Sequence, residues 1–501
     1  MIRTVFCLNG PDAVNGQNVW LTRHLPMLAS RGIEPVVLYL SWSSDIICNY
    51  RKNLEEEGVK VVSLQLGRFI EENVIAVAEA VDRLDADAFV PNYSIAGYYA
   101  ARFLKETGVV TIGILHSDDP YYHDIVDSFV AGSGRWCLSG VVGVSNYLKE
   151  LVEERTDGAL PFLHAPYGAP VPESVAAWSS DSFRMVYSGR LVELQKRVRR
   201  VATSMLAAAS DCDNLEGILY GVGPEQEWLE KTFLKSDGRV RLGGCLSPEE
   251  MQCEMLQGQV FVLLSDFEGM SIALMEAMAC GLVPIISRMR SGVSDLVEDG
   301  VTGLIVAADD PEAFTRAVKQ LSSDRELWAS LSKRARNAIV ERRYTVDACA
   351  DAWVEFLKRM DADRPSRKRL VIPPMGEWQM PKRSDRPNGM RVEDRRSGWE
   401  FIYGAMVSGR PVFLWGASKA GEVCLDLVKK QKIQVEGFVD SDPNKQGQSL
   451  RGYSIALPNK LKNQLMEGIR PFVVISSQYE EEIAEELRRM GLCDMKDFVA
   501  G

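Results

Sequence analysis

The segment Ser265–Gly303 reads SDFEGMSIALMEAMACGLVPIISRMRSGVSDLVEDGVTG. It follows an apolar run at Val260–Leu264, turns at Glu268-Gly269, enters the apolar stretch SIALMEAMACG and returns to a second run at Val283–Ser287. Such runs lack period-two alternation, as strands covered on both faces do. A strand, a glycine-containing turn, a helix and another strand form the repeating unit of a parallel α/β sheet. Outward from this unit the rhythm continues. Phe183–Ser188, Leu215–Tyr220 and Arg239–Leu242 precede it, and Leu304–Val306 follows. Ser247-Pro248-Glu249-Glu250 starts a helix, with a capping serine, Pro at the first helical position and acids in the first turn.

A similar series fills the first part of the chain. Ile2–Leu8, Pro35–Leu40, Ala88–Val90, Val109–Leu115 and Gly140–Val144 are strand candidates, with a polar turn through Gly16 and a helix to about Ser30 after the first. Residues 361–400 break the pattern, with 10 basic against 7 acidic residues and little apolar periodicity. They read as a basic, mostly solvated linker that wraps over the surface. The rhythm resumes at Pro411–Trp415, Val435–Val439 and Pro471–Ile475. The expected division is 1–175, 176–360 with its last helix packing back on the first domain, the linker 361–400, and 401–501. Two halves of similar size put a cleft between the carboxyl ends of their sheets, where ligands of open α/β sheets bind.

Composition narrows the function. With 501 residues, at roughly 150 per domain, about three domains are expected. A net charge of −11 disfavours broad nucleic-acid binding. Ten cysteines without a CxxC pair read as reduced, mostly packed thiols of a cytoplasmic protein. Four histidines, none at HxxxH spacing, argue against a zinc site. No stretch of about 18 uncharged apolar residues stands out as a membrane span.

Two groups of residues can carry chemistry. Glu276 lies inside an apolar helix, where an unpartnered carboxylate would cost several kcal/mol, so it has either a protein donor or a ligand hydroxyl. The start of that helix, at Met270–Ile272, offers amides to a phosphate. Arg190 and Lys196 follow the strand Phe183–Ser188, and two cations at a strand end can neutralise a diphosphate.

The segments YSGRLVELQKR, LYGVGPEQEWLE, RLGGCLSPEEM, EGMSIALMEAMACGLVPIIS and SGVSDLVEDGVTGLIV resemble the family 4 retaining glycosyltransferases of GT-B fold. The likeness is dense over 183–307 and thinner but collinear over 1–175. The spacing of Glu268 and Glu276 matches the family's E-x7-E signature. The resemblance implies a GT-B architecture of two Rossmann-like domains, the first holding the acceptor and the second a nucleotide-sugar donor, with a UDP-sugar as default. By position, Arg190 and Lys196 would bind the diphosphate and Glu276 the ribose. Glu268 with the amides of Gly269, Met270, Ser271 and Ile272 would contact the transferred sugar and phosphate. The loop Asp12–Gln17 matches the family's glycine loop through Gly16, with Asn15 in place of a paired glycine. His116, in ILHSDD, matches the family's histidine beside the donor sugar, so His116 and Glu268 are the candidate catalytic residues.

This implies a hexosyl transfer with retention, without metal or cofactor. The helix amides and the two cations would stabilise the leaving diphosphate. The acceptor is open between a glycan, a lipid-linked glycan and a protein. Two competing readings are a phosphorylase or synthase on the same fold and a catalytically reduced binding or scaffold protein. His24, His123 and His164 read as packed or surface residues, and Asp118 and Asp119 as an Asx turn. In the last domain, Trp415–Gly421 opens a helix after a strand, and Asp440 lies further on, a Rossmann-like arrangement with Ser418 in place of the middle glycine. Assembly, whether oligomerisation or partner binding, is favoured there over cofactor binding. Asp440-Ser441-Asp442 reads as a turn rather than a metal motif. The basic linker leaves peripheral contact with the inner face of a membrane open.

Overall fold

The computed structural model describes residues 1–9, 16–41, 49–67, 70–118, 120–132, 134–156, 158–193, 195–234, 237–289, 292–308, 310–374, 409–430, 433–477, 479–492 and 497–500. Three α/β sheets follow one another along the chain. The first contains β1 (Ile2–Asn9), β2 (Ile33–Ser41), β3 (Lys60–Gln65), β4 (Ala88–Val90), β5 (Val110–Leu115), β6 (Gly140–Gly143) and β7 (Phe162–His164), in the order β3-β2-β1-β4-β5-β6-β7. Every neighbouring pair is parallel. The chain leaves β1 first to one side and then, at β4, to the other. That reversal places a crevice at the carboxyl ends of β1 and β4.

The second sheet repeats the plan. It holds β8 (Phe183–Ser188), β9 (Leu215–Tyr220), β10 (Val240–Gly244), β11 (Val260–Leu263), β12 (Val283–Ser287) and β13 (Leu304–Val306), in the order β10-β9-β8-β11-β12-β13 and parallel throughout. β11 and β12 are buried along their whole length. The helix between them, Ile272–Cys280, is capped by Ser271 at its start and closed by Gly281 at φ +88°. The box at Ser247 forms: its hydroxyl accepts from the Glu250 amide, and the Glu250 side chain accepts from the Ser247 amide.

The third sheet contains β14 (Val412–Trp415), β15 (Val435–Val439), β16 (Ser449–Leu450), β17 (Tyr453–Ala456), β18 (Phe472–Ile475) and β19 (Phe498–Ala500), in the order β16-β17-β15-β14-β18-β19. Only the β16–β17 hairpin is antiparallel. Asp497, fully buried, anchors its far side through Arg410 and Arg470.

The two large halves are joined by two adjacent stretches of chain. The Ala169 amide donates to the Tyr344 carbonyl (2.9 Å), and the Val346 amide donates back to the Ala169 carbonyl (3.3 Å). Beyond them the helix Val346–Ala362 returns to the first sheet. Its Trp353, fully buried, meets Phe6 at 6.2 Å and Trp20 at 5.5 Å between ring centroids.

The start of the linker, through residue 374, runs over the surface of the first half with none of its residues buried. Arg364 pairs with Asp87 (2.7 Å) and Arg367 with Asp82 (2.8 Å), and the Lys368 amide donates to the Thr107 carbonyl. Two of its cations are thus matched by acids of the first half, an arrangement that net charge along the chain does not reveal. Residues 375–400 of the expected linker lie outside the described residues, as do Cys48 and Cys493. Of the other eight cysteines, four are buried, with Cys245 and Cys253 exposed.

Candidate active site

The carboxyl ends of the first two sheets meet. A Cβ placed on Gly269 would stand 2.0 Å from the His116 carbonyl oxygen, and one on Gly292 would stand 1.9 Å from the Gly269 oxygen and 2.5 Å from the Ser145 Cβ. Only glycine fits where three backbones approach this closely. Beside them the Asn146 amide donates to Asp295 across the same boundary (2.7 Å).

On the second half, the loop after β8 is knitted to the turn after β11. The Asp266 amide donates to the Gln195 carbonyl (3.0 Å), and the Gln195 side chain donates to the Phe267 carbonyl (3.2 Å). Lys196 Nζ donates to Glu268 Oε1 at 2.6 Å, with both side chains largely buried. Arg190 is exposed and donates to Gln195 Oε1 (2.7 Å). The structure thus brings Arg190, Lys196 and Glu268 together. The Tyr187 phenol lies below them, its pKa pushed up by burial and then by the Glu268 carboxylate.

The turn Gly269-Met270-Ser271 leads into the helix Ile272–Cys280. The Ser271 hydroxyl accepts from the Leu274 amide (3.3 Å) and caps the helix. The amides of Ile272 and Ala273, in the first turn, have no intrahelical acceptor and suit an anion.

Glu276, halfway along this helix, is not alone. Arg23 Nη1, from the first helix Gly16–Ser30, stands 2.5 Å from its Oε1. Burial raises the Glu276 pKa, and Arg23 works against that rise. Gly16 is the first residue of the same helix. The rest of the expected glycine loop, Asp12–Asn15, lies outside the described residues.

His116, the candidate catalytic residue beside the donor sugar, is a buried ring bonded at both nitrogens. Its Nε2 bonds Asn92 Oδ1 (2.7 Å) and its Nδ1 bonds the Tyr167 hydroxyl (2.8 Å), while Tyr167 stacks on it at 5.7 Å. The Asn92 amide donates to the Cys7 carbonyl, which orients its oxygen toward the imidazole and makes Nε2 the donor. Burial lowers the His116 pKa to about 3. Neither ring nitrogen is left for proton transfer, and it is the carbonyl of His116 that faces Gly269.

The neighbouring Asp118 also departs from the expected turn. Its Oδ1 bonds His123 Nε2 at 2.7 Å; Asp119 lies outside the described residues. His24 is a packed residue, its pKa lowered to about 3 by burial. Sequence reasoning missed Arg23, Asn92 and Tyr167. Only Arg23 carried a signal, as a cation set in the apolar helix that the glycine loop opens.

In the third unit, Asp440 accepts from the Ala417 amide (2.8 Å), from Lys445 Nζ (2.8 Å) and from the Asp442 amide (3.0 Å). Asp442 in turn accepts from the Asn444 amide (2.9 Å), so both acids of the DSD triplet serve a turn. Among the described residues, no three of His, Cys, Asp and Glu are grouped as a metal would require.

Comparison with known proteins bears on the family segments and the fold. Residues 182–324 match the family Glycosyl transferases group 1. The group 1 segment therefore coincides with the second sheet and its site residues. Residues 409–496 match a second family, C2185-like, N-terminal. The lipopolysaccharide core biosynthesis glycosyltransferase LpsE of Rhizobium meliloti is 29% identical over 171 residues, covering 34% of this chain and 48% of LpsE. The N-acetyl-alpha-D-glucosaminyl L-malate synthase of Bacillus anthracis is 28% identical over 202 residues, covering 40% of this chain and 49% of the synthase. The chain thus spans about half the length of each. The crystal structure of Anabaena Alr3699/HepE in complex with UDP and glucose superposes with a TM-score of 0.57 at 15% identity, over 72% of this chain and all of that one. The first two sheets have the GT-B fold.

Proposed function

We propose that the chain is a retaining, metal-independent glycosyltransferase of family 4 that moves a hexosyl group from a UDP-sugar to an acceptor hydroxyl. The observation that carries this reading is the pairing of Lys196 with Glu268 just before the start of the Ile272 helix, beside the Gly269–His116 contact. Lys196 and Arg190 take the diphosphate, with Gly16 at its other side. Glu276 takes the ribose hydroxyls. Glu268 and the amides of Gly269, Met270, Ser271 and Ile272 hold the sugar and its phosphate. His116 acts as a rigid, neutral wall of the sugar pocket, and its role is positioning.

As the anomeric bond breaks, positive charge grows on the sugar and negative charge on the diphosphate. Fixed cations and amides aimed at the leaving oxygens lower that barrier without reorganising. The acceptor hydroxyl enters on the same face and passes its proton to the leaving phosphate oxygen. UDP is favoured because the fold neighbour HepE binds it. The acceptor belongs to a glycan, a lipid-linked glycan or a protein, held by the first half. The reading places the protein in the cytoplasm, with peripheral contact at the inner face of a membrane. No helix among the described residues is long and apolar enough to cross one. The third unit is read as a Rossmann-like assembly module, because Asp440, where a ribose would bind, is already occupied by Lys445 and the Ala417 amide.

The test is a thermal-shift screen over UDP-, GDP- and ADP-sugars, followed by transfer assays on wild type and Glu276→Ala. A ligand that binds only the folded state raises its melting temperature. A shift with UDP-sugars, lost in Glu276→Ala, supports the reading; no shift with any nucleotide overturns it. Binding without transfer from any donor would favour the binding-protein alternative.

A further inference from the structure

We infer that Arg23 is a positioning residue for the nucleotide: it crosses from the acceptor half to hold the Glu276 carboxylate, so that the ribose site is completed by both halves. The inference rests on the reading of Glu276 as the ribose acceptor. Three observations carry it. Arg23 Nη1 lies 2.5 Å from Glu276 Oε1, although one residue stands on the first helix of the chain and the other on a helix of the second sheet. Both side chains are about four-fifths covered. The carboxylate is embedded in an apolar helix whose Leu274, Met275, Ala277 and Met278 are buried.

A ribose diol donates two hydroxyls. An ionised carboxylate offers both oxygens to them, whereas a protonated one turns one oxygen into a donor. Burial favours the protonated form, so the cation decides which form meets the nucleotide. The other groups near Glu276 do not supply a cation. On its own helix, Cys280 is a thiol pushed up to about 12 by burial and then by Glu276 itself. From the helix Pro248–Leu256 comes Cys253, which neighbours Cys280 and carries no positive charge. From the helix Arg325–Glu341, Arg336 is turned to the carbonyls of Ala279 and Pro172. Arg23 alone pairs with Glu276 among the described residues. Because Arg23 rides on the other half, the carboxylate keeps its cation only while the halves stand together.

The test is calorimetric titration of the full chain with UDP and with 2′-deoxy-UDP at pH 7 and pH 9, for wild type, Arg23→Met, Arg23→Lys and Glu276→Gln. Wild type is expected to prefer UDP by roughly ten-fold at both pH values, the worth of one hydrogen bond to a charged group. Arg23→Met is expected to weaken that preference at pH 7 and recover it at pH 9, since burial raises the carboxyl and higher pH opposes that rise. Arg23→Lys keeps it throughout, and Glu276→Gln lacks it at both pH values. A full preference in Arg23→Met at pH 7, or a loss that pH 9 does not restore, overturns the inference and leaves the ribose reading intact. Absence of any preference in wild type overturns the ribose reading itself, and the inference with it.

Discussion

Gly269→Ala offers a direct test of whether the two halves must touch for transfer to occur. Gly269 does not occupy the left-handed region, so alanine costs nothing there in backbone conformation. The added methyl would nevertheless stand 2.0 Å from the His116 carbonyl oxygen and 2.6 Å from the Ser117 Cα. Real Cβ atoms essentially never come closer than 3.0 Å, so a retreat of about 1 Å is required. No flexible side chain is available to make it, because the obstructing atoms are backbone. Gly269 cannot withdraw into its own half either, since its oxygen is already pressed by Gly292. The halves must therefore part by about 1 Å across the site. A misplacement of that size costs on the order of 100-fold in rate, or about 2.7 kcal/mol of barrier. The added methyl removes no buried apolar group, so the melting temperature should stay within a few degrees of wild type. The assay is steady-state transfer with the donor found by screening, paired with a thermal melt. Undiminished kcat with a melting temperature several degrees lower would refute the reasoning, because it would mean that the strain is absorbed locally at a cost of roughly 1–3 kcal/mol.

Three further outcomes are expected. Lys196→Met leaves the Glu268 carboxylate buried without its cation, and urea denaturation should show a loss of about 3 kcal/mol, partly recovered by adding Glu268→Gln. His24 and His116 have folded-state pKa values near 3 against an unfolded value of 6.5, so the unfolded chain binds more protons between these limits. The stability that they confer is complete above about pH 6.5 and falls on acidification, by about 2 kcal/mol each down to pH 5. Melts across that range should show His116→Gln to be less stable at neutral pH but with a shallower acid slope; an unchanged slope would contradict the buried neutral ring. Asp497→Ala strips Arg410 and Arg470 of a fully buried partner and should cost the third unit about 3–5 kcal/mol. Its own unfolding transition should move while nucleotide binding elsewhere does not, as calorimetric scans with and without nucleotide would show.

The strands plainest in the sequence are those whose two faces are both buried. Val412–Trp415 and Val260–Leu263 are covered along their whole length, so their apolar runs are unbroken. Lys60–Gln65 was missed because it lies at the edge of its sheet, where exposure alternates and Lys60, Ser63 and Gln65 interrupt the run. Phe162–His164 and Ser449–Leu450 are too short to show a period. In the site, the E-x7-E spacing places Glu268 in a turn and Glu276 in the following helix, because one turn and one helix lie between them. The partners of those groups are another matter. Lys196 reaches Glu268, and Arg23 reaches Glu276, across gaps in the chain that no local pattern records. His116 shows the same limit in reverse: its place in the chain is legible, but Asn92 and Tyr167, which use up its nitrogens, come from separate loops.

The return of Trp353 to the ring cluster of Phe6 and Trp20 bears on how the chain is made. Synthesis proceeds from the amino terminus, and domains tend to fold as units as they emerge. Here the first sheet cannot finish when its last strand, β7, leaves the ribosome, because the helix that covers Trp20 is encoded after the whole second sheet. The second half, though translated later, carries all its strands in one uninterrupted stretch and is free to fold first. Until Val346–Ala362 arrives, the earlier half presents an aromatic face to the solvent, and any cleavage or premature stop before that helix would leave it so.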